Sequence, residues 1–153
     1  MKKRIYYLCI VLYLAAAAWI LFFFPFNSAS RLDTSIRRYV NPIPLETTTR
    51  YFHNAIYRDA AVHTQALILN VGGNILLFVP MGILLYNLRQ RLGYKALPFW
   101  GAALISLSVE SIQILCRVGN FDVDDIILNT LGSLLGASLA ALLPLLQVYT
   151  AEP

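Results

Sequence analysis

Residues 66–88 read ALILNVGGNILLFVPMGILLYNL, a stretch without one charged side chain. Roughly 20 mostly apolar residues in helical form cross a hydrocarbon core of ~30 Å, so this stretch is long enough to span a bilayer. Asn70 and Asn74 interrupt it at i and i+4, with Gly72 and Gly73 between them and Pro80 and Gly82 following. Four residues apart on a helix is one face, so the two amides point the same way out of an otherwise apolar cylinder.

Three more blocks have the same character. Lys2, Lys3 and Arg4 precede an apolar run over about 5–26, and further runs occupy about 96–116 and 123–148. The first exceeds the roughly 7 to 15 apolar residues of a cleavable leader, which predicts a span. Over 153 residues the chain is 58% hydrophobic and 13% charged, and its mean hydropathy is +0.62. Lipid is the solvent such a composition requires. The expectation is an all-α polytopic membrane protein, one domain over 1–153, with four transmembrane helices. Asn41-Pro42-Ile43-Pro44 blocks regular structure between the first two spans. The polar and aromatic residues from Glu46 to Arg58 then predict an interfacial segment.

The net charge of +4 is spread beside the apolar blocks instead of forming a stripe, which argues against nucleic acid and for a topology signal. Arg89, Arg91 and Lys95 stand without acids in the short loop between spans two and three. Arg117, Asp122, Asp124 and Asp125 occupy the loop between spans three and four. The basic loop and the Lys-Lys-Arg start belong inside, so both termini are expected to be cytoplasmic. Cys9 and Cys116 fall near opposite ends of different spans and read as packing residues, while His53 and His63 lack the clustered partners of a metal site. No metal or cofactor is expected.

Function should lie with the intramembrane polar groups, because a carboxylate well inside a span costs about 2.5–3.5 kcal/mol unless it is paired, hydrated or protonated. Glu110 is such a group, with Gln113 and Arg117 following at helical spacing. Asn74, Glu110 and Asn129 lie at similar depth from the expected outer ends of their helices. The predicted pocket is therefore Asn70, Asn74, Glu110, Gln113, Arg117, Asp122, Asp125 and Asn129, opening outward. Asp122 or Asp125 can also cap the last helix, and Asp124 reads as facing water. Gly82, Gly132, Ser133, Gly136 and Ala137 read as helix packing, small residues that let a neighbouring helix approach.

The segments NVGGNILLFVPMG (70–82), SVESIQ (108–113) and RVGNFDVDDIILNTLGSLLG (117–136) resemble the VanZ-like family, small bacterial membrane proteins named for teicoplanin resistance. The resemblance implies the bacterial cytoplasmic membrane and a role in glycopeptide resistance at the cell envelope. Three readings stay open. An outer-leaflet pocket could bind a lipid headgroup, a lipid-linked cell-wall precursor or the antibiotic. A membrane enzyme could act on a lipid-linked substrate, with Glu110 as general base and Asp122 or Asp125 as acid. Third, the chain could be a packing subunit of an envelope complex of unknown stoichiometry.

Overall fold

The computed structural model describes residues 2–23, 40–58 and 60–143. The last residues expected in the first and fourth spans, 24–26 and 144–148, lie outside the described residues, as do both chain ends. The fold is all-α, as the apolar blocks require. Helix α1 covers Lys2–Phe23, α2 Glu46–Tyr57, α3 Ala60–Leu67, α4 Gly73–Leu92, α5 Leu97–Leu115 and α6 Val123–Leu142. A π-helical turn, Ile68–Gly72, joins α3 to α4, so Ala61–Leu92 runs as one apolar helix of 32 residues. Among the described residues this helix, α5 and α6 are long and apolar enough to cross a membrane. Tyr7–Phe23 forms a shorter apolar helix.

Each helix end has a local cause. Gly93 adopts φ 76°, the left-handed cap that glycine reaches without steric cost, and its N–H bonds to Arg89 O, closing α4. Pro98 sits in the first turn of α5, where its missing N–H would have had no helical partner. Asp122 caps α6, its side chain accepting the Asp124 N–H at 2.9 Å, one of the two carboxylates considered for that role.

Helices α4 and α6 meet backbone to backbone. A Cβ added at Gly136 would lie 1.9 Å from Val79 O, at Gly132 2.2 Å from Ile75 O, and at Gly82 1.9 Å from Ser133 O. Nothing larger than hydrogen fits at these three points. The buried Ser133 hydroxyl donates to Pro98 O at 2.8 Å and so ties α6 to the start of α5. Two small apolar clusters flank the contact, Phe78, Leu85 and Ala102 on one side and Tyr86, Ala137 and Ala140 on the other.

Helix α1 is held more lightly. Ala17 is buried, while the Tyr13 hydroxyl donates to Leu77 O at 2.8 Å and Gln113 Nε2 donates to Leu21 O at 2.7 Å. Both cysteines are exposed rather than buried in packing, Cys9 on the open face of α1 and Cys116 in the turn after α5. A two-residue parallel strand pair, β1 (Val40–Asn41) with β2 (Phe121–Asp122), was not anticipated. It matches Val40 to Phe121 and Asn41 to Asp122.

Candidate functional site

The strand pair brings residues 40–57, the segment that the sequence expects outside and that is called the outer segment for that reason, onto the N-terminus of α6, and a set of carboxylates fixes it there. Helix α2 starts at Leu45, which has φ 64°, an uncommon left-handed conformation for a side chain of that size, and no side-chain oxygen with which to cap. Asp124 supplies the cap from another helix. Its Oδ1 accepts the Leu45 N–H and its Oδ2 accepts the Thr48 N–H at 2.8 Å. Those are the capping and third-residue amides of α2, the second of which a resident Ser or Asp would serve, and the helix dipole favours the negative charge. Asp124 is 0% exposed, so it does not face water.

Beside it, Asn41 Nδ2 donates to Thr47 Oγ1 at 2.7 Å and to Asp122 Oδ1 at 3.4 Å. Glu110 is buried, and its Oε2 accepts the Asp122 N–H at 3.0 Å, which ties α5 to β2. Asp125 Oδ1 accepts from Asn74 Nδ2 at 2.5 Å and from Asn70 Nδ2 at 3.4 Å. The two asparagines thus converge on one carboxylate across the π-helical turn. One helical turn deeper, Asn129 Nδ2 donates to Ser106 Oγ at 2.8 Å, leaving Asn129 Oδ1 buried without a partner.

Between the outer segment and the helix ends lies a cavity of about 420 Å³. Asn70, Asp122 and Asp125 line it, together with Glu46, Thr47, Arg50 and Tyr51 from the outer segment and Asn120 from the turn before β2. Of the eight residues expected to share one pocket, these first three form its wall. Asn74 and Glu110 bond to wall residues. Gln113 is engaged with α1, Asn129 is one layer down, and Arg117 is exposed at φ 56° in the turn after α5, none of them on the wall. No group of three or more His, Cys, Asp or Glu among the described residues is arranged to hold a metal ion.

The carboxylates, asparagines and small residues responsible for this arrangement all fall within residues 10–144, the stretch that matches the VanZ/LLP1 family. The chain belongs to that family. Within VanZ/LLP1 it is similar to Protein VanZ of Enterococcus faecium, 37% identical over 70 residues, which is 45% of this chain and 42% of that protein's length. The match therefore spans less than half of that relative. No solved structure matches.

In this VanZ/LLP1 chain, the wall residues that sequence reasoning missed come from residues 40–51, from Asn120 in the turn before β2 and from Phe121 in β2. Glu46, Thr47, Arg50 and Tyr51 belong to the stretch Glu46 to Arg58 that reads in sequence as an interfacial segment. The available clue was that Leu45, after two prolines, starts a helix it cannot cap.

Proposed function

We propose that the cavity under residues 40–51 binds a polar group at the outer face of the bacterial cytoplasmic membrane, a lipid headgroup or part of a glycopeptide. Through it the chain would contribute to teicoplanin-type resistance without catalysing a reaction. The observation that carries this reading is the cavity itself, about 420 Å³ with polar side chains from both the outer segment and the helix ends. Glu46, Asp122 and Asp125 accept hydrogen bonds, so hydroxyl, amide and ammonium groups are the ligand chemistry the wall favours. Arg50 is the cation on that wall, the role first expected of Arg117.

The proposed topology has four crossings with both termini cytoplasmic. Helix α1 would be the fourth, a reading supported by its contacts, since Tyr13 meets the middle of Ala61–Leu92 and Leu21 meets the last turn of α5. The basic stretch 89–95, the end of α4 and the turn after it, lies inside, and α2 rests at the outer interface. A membrane-impermeant maleimide should then label Cys116 in intact cells, since that thiol is exposed at the outer end of α5.

The enzymatic alternative has less support. Glu110 does not line the cavity, and one of its oxygens already accepts a backbone N–H. The decisive comparison is teicoplanin susceptibility of a deletion strain complemented with wild type, Asp125→Ala, Arg50→Ala or Glu110→Gln at matched membrane levels. Loss of resistance with the first two and retention with Glu110→Gln is expected. Resistance unchanged in Asp125→Ala and Arg50→Ala would sink the binding reading, and loss in Glu110→Gln alone would favour a general base.

A further inference from the structure

A second cavity, of about 290 Å³, lies at the opposite end of the helices, where the α4–α5 loop meets α6. Its chemistry is the reverse of the first. Arg89 and Lys95 line it and no carboxylate does. Arg89 is pre-positioned, its guanidinium carbon 4.3 Å above the Tyr86 ring and its Nη1 3.5 Å from Lys95 O. Tyr86 is itself fixed, 6% exposed in the α4/α6 cluster. On α6 the wall consists of Leu134, Ala137, Ser138 and Ala141. Their spacing of three, one and three makes one stripe along the helix, about 10 Å long at 1.5 Å per residue. Three small residues in that stripe leave a groove running from the cations into the apolar depth.

We infer that this groove holds an anionic phospholipid, with its phosphate between Arg89 and Lys95 and an acyl chain along the Leu134–Ala141 stripe. A guanidinium offers two parallel N–H groups to phosphate oxygens, and a lysine adds a point charge. Basic pockets between transmembrane helices take acidic headgroups in this way. Charge complementarity selects the headgroup, and the apolar groove selects a lipid over free phosphate. The inference stands apart from the outer cavity, with which it shares no residue.

Native mass spectrometry of the full chain in mild detergent tests it, with phosphatidylglycerol or phosphatidylcholine added. The wild type should retain phosphatidylglycerol, and Arg89→Gln and Lys95→Gln should each weaken retention about fivefold. Arg91→Gln removes the same charge from the same last turn of α4, outside the cavity, and should leave retention unchanged. Ser138→Phe fills the groove without touching a charge and should also displace the lipid, so the result does not depend on Arg89→Gln folding. Equal retention of phosphatidylcholine, equal loss in Arg91→Gln, unchanged retention in Ser138→Phe, or displacement of the lipid by equimolar inorganic phosphate would each overturn the proposal.

Discussion

The α4/α6 contact and the seat of α2 on α6 are both close associations, but they are built from opposite materials. At the first, three glycines let two helices touch through backbone atoms, and the contact depends on what is missing. The second relies on the carboxylate of Asp124, which reaches two amides that α2 cannot satisfy itself. Lipid offers no hydrophobic drive for helix association, so the first must rest on close van der Waals fit. Among the described residues 40–58 no apolar side chain is buried and Thr47 is the buried residue, so this segment depends on directed hydrogen bonds. A close-packed seam fails when atoms are added. A capped segment fails when they are removed.

Breaking the seam should have the largest effect. Gly136→Leu puts a side chain where Val79 O already stands within 1.9 Å of a bare Cβ, so α4 and α6 must separate. The expected outcome is loss of the monodisperse folded peak in detergent chromatography. Even Gly136→Ala should cost about 1–3 kcal/mol, as overpacking does in a tight core.

Removing the cap comes next. Asp124→Ala leaves the Leu45 and Thr48 amides unserved, at about 0.5–1.5 kcal/mol for each of these part-buried bonds. The effect should be local: trypsin added outside cells or to purified protein cleaves faster after Arg50 and Arg58, while the thermal midpoint of the helix bundle barely moves. An equal fall in bundle stability would show that the two regions are one cooperative unit.

Smaller effects sharpen the comparison inside the bundle. Ser106→Ala strands the whole Asn129 amide, whereas Asn129→Ala removes a bond together with an oxygen that has no partner. Ser106→Ala should therefore be the more destabilising of the two, near the ~0.6 kcal/mol average for such bonds in membranes, measured as a shift in thermal midpoint. Gln113→Ala should have the least effect on global stability. It frees Leu21 O and should raise hydrogen–deuterium exchange only near the end of α1.

What was legible in the sequence follows the same division. Both ends of α5 and the start of α6 emerge from apolar length, whereas α6 ends at Leu142, short of the expected 148, and the spacing of Gly132, Ser133, Gly136 and Ala137 marks a face of small residues. Their partners, the carbonyls of Ile75 and Val79, do not emerge, because backbone atoms carry no residue signature. Asp124 was misread for the same reason. Its partners are two amides nearly 80 positions upstream, which no side-chain pattern announces. Asn70, Asp122 and Asp125 could be found as polar groups with nowhere else to go, but the other half of the cavity wall could not. Residues 46–51 read only as part of an interfacial segment until the β1–β2 pair folds them over the helix ends.

That same long-range cap sets an order in time. Leu45 and Asp124 are 79 positions apart, and synthesis proceeds at about 5–20 residues per second. Once Leu45 has been made, about 4–16 s pass before its capping carboxylate exists. Through that interval the start of α2 lacks its keeper, while two further membrane helices are being laid down behind it. The cavity thus closes only when α6 arrives, after every other described element that lines it has been made.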